Sequence, residues 1–150
     1  INRGRGWLQR AQSSSQTHGP YLLQARIAAI HAAATTADVT DWRSIVSLYE
    51  ELVDLRPTPV VALNHAVAVA MWQGADLGLL LMESLAESLN SYQPFHAARG
   101  ELAARAGRFG DAGVSLQRAV ELSANEVERR HLQRRLEAVI RLDQADQISR

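Results

Sequence analysis

Histidine, serine and glycine are the residues in this sequence that could support chemistry, as metal ligands, proton carriers, nucleophiles or phosphate-binding loops. The histidines share no short ligand spacing, no His-Glu-x-x-His motif occurs, and there is no cysteine to complete a zinc site. We therefore predict no metal site and no cofactor. Each imidazole is expected to lie on a helix surface or to be partly buried: His18, His31, His65, His96 and His131.

Two short segments resemble known catalytic or binding motifs incompletely. Gly4-Arg5-Gly6 begins like a dinucleotide-binding loop, but Gln9 stands where the third glycine belongs and no strand pattern precedes it. Ser13-Ser14-Ser15 lacks the flanking glycines that expose a nucleophilic serine. We therefore predict no catalytic residues and a protein that is not an enzyme.

Charge and composition exclude further classes of function. Sixteen basic residues, all of them arginine, balance sixteen acidic ones, and a net charge of zero argues against electrostatic nucleic-acid binding. The longest strongly apolar run, 77–82, is far shorter than the ~20 residues that span a bilayer, so no membrane association is predicted. The absence of cysteine suits the reducing cytoplasm. Because the chain begins with Ile1 rather than methionine, we expect a fragment from the end of a longer protein.

Turn residues divide the chain into seven predicted helices, and no segment shows the alternation typical of a strand. Helix caps are expected at Thr40 or Asp41, at Thr58, at Ser91 and at Asn125, whereas Gly74 and Gly107 are expected to end helices. The predicted helices cover 21–34, 41–56, 59–74, 76–88, 92–106, 109–123 and a long segment from 125. The fold class is therefore all-α.

An internal repeat is visible when Gly74 and Gly107 are aligned, because their separation matches a tetratricopeptide (TPR) unit. The segment 100–122 fits the TPR pattern best, with Gly100, Ala112 and Ala119 where two helices must cross closely. We predict a TPR-like superhelix of antiparallel helix pairs. Its domain covers 19–145, with degenerate units at about 26–59, 60–92 and 93–124, a capping helix at 125–145, and a preceding linker or helix at 1–18.

Three residues depart from this repeat pattern. Leu79 and Glu83 occupy positions that normally hold alanine and an aromatic residue. Arg99 stands where the third unit should have leucine. The units are therefore degenerate rather than consensus repeats.

The last predicted helix is rich in arginine. One of its faces carries charged residues at steps of four and three: Glu126, Arg130, Arg134, Glu137 and Arg141. Glu126 with Arg130, and Glu137 with Arg141, have the order that favours helical ion pairs. This pattern favours a solvated, ion-paired face over a phosphate-binding one, because the acidic residues partly cancel the basic ones.

A binding groove is expected on the first helices of the units, which line the concave face of a TPR array. In the predicted register, the candidate partner-binding residues are His31, Asn64, His65, Trp72, Glu101 and Arg105. Their mixture of polar and aromatic side chains suits a peptide or protein surface. Trp72 could instead fill space between helices, and a small ligand in the groove would have support only from His31, His65 and Trp72.

Five stretches in a defined order carry a family resemblance. They are Gly19-Pro20-Tyr21 with Gln24-Ala25, Thr40-Asp41-Trp42 with Leu48-Tyr49, the segment 59–69, His96-Ala97-Ala98-Arg99 with Glu101-Leu102, and Asn125-Glu126 with Glu128-Arg129 and Leu132. In order and spacing they resemble the TPR-like C-terminal extension of a group of bacterial extracytoplasmic-function (ECF) sigma factors. His65 departs from that pattern, which usually has arginine there.

The resemblance implies a regulatory domain of an ECF RNA polymerase sigma factor. Its implied partners are the N-terminal sigma domains, the RNA polymerase core, or both, and promoter DNA would be contacted only by a part upstream of Ile1. From the residues alone, a stand-alone TPR-like peptide-binding scaffold unrelated to transcription stays open as the alternative.

Overall fold

A computed structural model describes residues 19–35 and 37–150. The predicted linker at 1–18, with its glycine and serine motifs and His18, lies outside the described residues. The described ranges contain seven α-helices and no strand. The helices are α1 (Pro20–Ala33), α2 (Trp42–Leu55), α3 (Pro59–Gln73), α4 (Ala75–Met82), α5 (Gln93–Arg105), α6 (Phe109–Leu122) and α7 (Glu126–Ile148). Short 3-10 helices cover Ala37–Val39 and Glu83–Leu85. The predicted all-α class is confirmed.

Side-chain caps begin three of the helices. Asp41 accepts hydrogen bonds from the Ser44 amide at 3.2 Å and from the Ser44 hydroxyl at 2.6 Å. These bonds favour the carboxylate and hold the pKa of Asp41 below its ordinary value. Asn125 accepts a hydrogen bond from the Glu128 amide at 2.8 Å. At the start of α3, the Thr58 hydroxyl accepts one from the Val61 amide at 3.3 Å. Each satisfies an amide that the helix itself leaves unpaired, as predicted.

Glycines with positive φ end two helices. Gly74 follows α3 with a φ of 109°, and Gly107 closes α5 with a φ of 76°. Side chains with a Cβ rarely adopt this conformation, so glycine is required for both turns. Both predicted terminators are confirmed.

The segment between α4 and α5 differs from the prediction. The fourth helix was expected to reach residue 88, but it ends at Met82, where a 3-10 turn and further turns follow. Ser84 bonds back to the carbonyl of Leu81 at 3.4 Å, and serine and asparagine in this segment favour turns over helix. The N-cap of α5 is Tyr92 rather than Ser91, without a side-chain cap bond. At the other end of the chain, α7 extends three residues past the expected end at 145.

Two compact units make up the chain, one extending to Trp72 and the other beginning at Gln73. In the first unit, branched aliphatic side chains from α1, α2 and α3 form the core. Leu23, Ile45 and Leu52 are fully buried there, with Trp42 and Tyr49 packed against them. Burial of these large side chains is the main contribution to the stability of this unit.

The second unit is built around the close crossing of α5 and α6. A Cβ on Gly100 would lie only 2.7 Å from Cγ of Leu116, and Ala112 and Ala119 on α6 are completely buried. Val139 of α7 completes this core. The prediction that small residues mark the crossing is confirmed.

Some large apolar side chains of the helices are exposed. They include Leu55 in α2, Val60 in α3 and Ile140 in α7. The core side of α3 instead includes Val61 and Leu63. No helix of the described ranges has the length and hydropathy that crossing a membrane would require.

Candidate functional site

All six predicted groove residues lie on α1, α3 or α5, the helices that were expected to line the concave face. His31, Asn64, His65 and Trp72 belong to the first unit, and Glu101 and Arg105 belong to the second. They therefore form two sets, one on each unit.

In the first unit, the four residues have different surroundings. The His31 ring contacts the Trp42 ring edge to face, with centroids 5.3 Å apart, and Asn64 is exposed. His65 is mostly buried, and its Nε2 lies 4.0 Å from a carboxylate oxygen of Glu50, too far for a hydrogen bond. Trp72 keeps 43% of its surface exposed, so much of its ring remains accessible on α3.

In the second unit, Glu101 is held by an arginine that sequence reasoning did not connect to it. Arg135 of α7 donates two hydrogen bonds to the Glu101 carboxylate, at 2.8 and 2.9 Å. This bidentate pair joins α7 to α5 and raises the pKa of Arg135 above its ordinary value. The two residues are 34 positions apart, so no local pattern could reveal the pair. Arg105, in contrast, is exposed and has no ion pair within the described ranges.

The charged face of α7 contains one of its two predicted ion pairs. Glu126 contacts Arg130 at 3.1 Å, as predicted, and also Arg129 at 2.9 Å. The expected pair between Glu137 and Arg141 does not form within the part of the chain that the structure describes. The Glu126 pairs are exposed and agree with a solvated face rather than a phosphate site.

His96 is the histidine whose surroundings differ most from expectation. Only 3% of it is exposed, its Nε2 donates to the carbonyl of Asn90 at 2.7 Å, and its Nδ1 is buried without a partner. Burial lowers the pKa of His96, with smaller contributions from the positive charges of Arg99 and Arg118, while the bond to Asn90 acts in the opposite direction. Among the residues described, no cluster of three or more histidine or carboxylate side chains could hold a metal ion.

Comparison with known proteins places this architecture among TPR domains. The first TPR domain of human RPAP3 superposes with a TM-score of 0.70 at 19% sequence identity, covering 89% of this chain and 98% of that domain. A double mutant of MamA from RS-1 superposes with a TM-score of 0.62 at 13% identity, covering 95% of this chain and 86% of that one. At such low identity these likenesses concern the fold.

A sequence relative is found in Rhizobium meliloti (strain 1021). An uncharacterised protein of that organism is 41% identical over 119 residues, which is 79% of this chain but 28% of the relative. The chain thus spans little more than a quarter of the relative's length. No known protein-family profile matches the sequence. Helix pairs, a close small-residue crossing and two TPR neighbours together establish an all-α, TPR-like fold for this chain.

Proposed function

We propose that this chain is the C-terminal regulatory domain of an ECF-type RNA polymerase sigma factor. It modulates transcription initiation through contacts with the sigma domains, with the RNA polymerase core, or with both. It acts in the cytoplasm as a protein-interaction module without chemistry of its own, and promoter DNA is contacted by another part of the protein.

The distribution of the family-like stretches over the helices is the observation that carries this proposal. Most of the matched residues lie on α1, α3 and α5. The others lie at the start and in the middle of α2 and in the first two turns of α7, whereas α4 and α6 contain none. In a TPR array the first helices of the pairs provide the binding surface. The resemblance is therefore concentrated on the helices that would meet a partner.

Exposed side chains on the same helices support an interaction role. Asn64 and Trp72 on α3, and Arg105 on α5, offer an amide, an aromatic ring and an unpaired cation to a partner. Tryptophan and arginine are also the residue types that most often dominate protein interfaces. Zero net charge suits a protein partner better than nucleic acid.

The length of the Rhizobium relative is compatible with a domain of this kind. The matched segment fills 28% of that protein, which leaves room for sigma regions beside it.

A stand-alone TPR-like scaffold that binds peptides is the second candidate, favoured by the likeness to TPR domains. The coding sequence upstream of Ile1 distinguishes the sigma-factor proposal from the scaffold candidate. The sigma proposal expects helical regions there that recognise the −10 and −35 promoter elements, and the scaffold candidate expects none.

Binding to polymerase provides the functional test. Full-length protein and a version truncated before Gly19 should differ in affinity for RNA polymerase core or for the isolated sigma regions. Equal affinities for both partners would reject the proposal.

A further inference from the structure

A pocket of about 300 Å³ in the second unit is lined partly by charged side chains that the proposed function does not use. It lies among α4, the turn after it, α5 and α6. Its walls are formed by Leu79, Glu83, Arg99, Ala103, Arg108, Asp111, Val114 and Ser115. This volume is at the lower end of the range for small-molecule sites.

All three residues that depart from the repeat pattern line this pocket. Leu79, Glu83 and Arg99 come from two different units of the repeat, yet they meet at one place. An aromatic residue at position 83 and leucine at position 99 would have supplied apolar bulk there. Deviations from a fold's own pattern that converge on one cavity are typical of a functional site.

Arg99 is held in place before any ligand arrives. Its guanidinium lies over the Phe95 ring, 4.9 Å from the centroid, and its Nε donates to the hydroxyl of Ser115 at 3.1 Å. Ser115 is itself only 4% exposed. No carboxylate lies within ion-pair distance of Arg99 in the described ranges, so its two terminal amino groups remain free for a bidentate bond to a ligand carboxylate.

The remaining charges of the pocket determine which kind of charged ligand it can bind. Arg108 is already paired with Asp76 at 2.8 Å, whereas Glu83 and Asp111 have no ion pair among the described residues. Phosphate would therefore meet one available arginine and two carboxylates, which is unfavourable. A ligand with one carboxylate and one ammonium group matches both signs of charge.

We propose that this pocket binds a small zwitterion of the α-amino-acid class. Arg99 holds the carboxylate, Glu83 and Asp111 receive the ammonium group, and the apolar wall of Leu79 and Val114 contacts the side chain of the ligand.

The test uses the full chain and free L-amino acids, added one at a time, with amide chemical shifts as the readout. At least one amino acid should bind with a Kd of about 1 mM or tighter and shift the amides of Ala103 and Ser115. Its N-acetyl and C-amide derivatives should each bind at least about ten-fold more weakly, because each lacks one charge. Binding of inorganic phosphate in place of amino acids, or of no amino acid at all, would overturn the proposal.

Two variants and a control locate the site. Arg99→Leu, which restores the residue expected from the repeat, and Glu83→Gln should each weaken binding at least about ten-fold. Arg134→Leu removes an exposed arginine of α7 outside the pocket and should leave the Kd unchanged. Unchanged affinity in both folded pocket variants would reject the site. Since these assays contain neither sigma regions nor polymerase, their outcome is independent of the proposed function.

Discussion

Both units of this chain bury large side chains, and the second also contains a close helix crossing and a polar pocket. In the first, large aliphatic side chains such as Leu23, Ile45 and Leu52 fill the space between helices. In the second, α5 and α6 approach so closely that Gly100 has no room for a side chain, and the polar residues Arg99 and Ser115 lie beside that crossing. Phe95, Met82 and Leu116 are also fully buried in the second unit, so the comparison indicates that a polar pocket can lie beside a tight crossing of small residues without replacing a core of large side chains.

The largest loss of stability is expected from emptying the core of the first unit. Leu52→Ala removes a completely buried side chain and should lower the free energy of unfolding by about 2–5 kcal/mol. Leu55→Ala, three residues further along α2, is the matched control, because Leu55 is half exposed and should cost much less. Urea denaturation measures the free energy of unfolding of both variants. Similar losses would show that the core does not lie where the structure places it.

In the second unit, a single added methyl group should be enough to destabilise the crossing. Gly100→Ala forces a Cβ against Leu116 and should cost about 1–3 kcal/mol, an overpacking penalty that exceeds the gain in helix propensity. Gly113→Ala on α6, where nothing lies within 4 Å of the new Cβ, should instead stabilise by up to about 1 kcal/mol. Thermal denaturation compares the stability of the two variants. A Gly100→Ala protein as stable as the Gly113→Ala protein would contradict the close crossing of α5 and α6.

The buried imidazole of His96 should make stability depend on pH. Because its pKa is lower in the folded chain than the ordinary 6.5, the unfolded chain binds more protons as the pH falls through that value. Its contribution is therefore present above pH 6.5 and is lost on acidification, down to the pKa of the folded state. The Tm should therefore fall between pH 7.5 and pH 5.5.

A substitution isolates this contribution from that of the other histidines. His96→Gln should remove most of the fall in Tm over this pH range, while His131→Gln, at an exposed position of α7, should retain it. If the Tm of the two variants depended equally on pH, the pH dependence would arise from a group other than His96.

The ion pair between α5 and α7 should make a smaller contribution. Arg135→Gln breaks both hydrogen bonds to Glu101, but the two side chains are about two-fifths exposed, so we expect a loss of about 0.2–1 kcal/mol that shrinks at high salt. Arg130→Gln, which breaks a pair within α7, provides the comparison. A salt-independent loss would argue against an electrostatic origin.

The smallest effect on stability is expected for the exposed residues of the candidate groove. Asn64→Ala combined with Arg105→Glu should leave the Tm nearly unchanged, because both side chains lie on the surface. The same double variant should weaken binding of a protein partner. A large drop in Tm would reassign these residues to the core.

Sequence reasoning was most successful where structure depends on neighbouring residues. The caps at Asp41 and Asn125 and the turns at Gly74 and Gly107 follow from local hydrogen bonding and backbone geometry, and all four were predicted. The small residues around Gly100 were also predicted, because the repeat pattern specifies where two helices cross.

Contacts between distant residues were not predictable in the same way. The bond between Glu101 and Arg135 joins positions 34 apart, and no helical spacing relates them. The convergence of Leu79, Glu83 and Arg99 on one pocket was hidden for the same reason, although each had been identified as a departure from the repeat. The early end of α4 was missed because apolar residues continue to Leu85, although the chain passes into a 3-10 turn at Glu83.

Transcription by the full-length protein tests the central proposal most directly. Promoter-dependent transcription would be measured with RNA polymerase core and one of three proteins. These are the full-length protein, a version truncated before Gly19, and the folded Asn64→Ala and Arg105→Glu double variant. If the domain regulates sigma activity through its first helices, promoter output should change by about five-fold or more on truncation, and in the same direction in the double variant. Identical output and identical polymerase affinity for all three proteins would contradict the proposal that this chain is a sigma-factor regulatory domain.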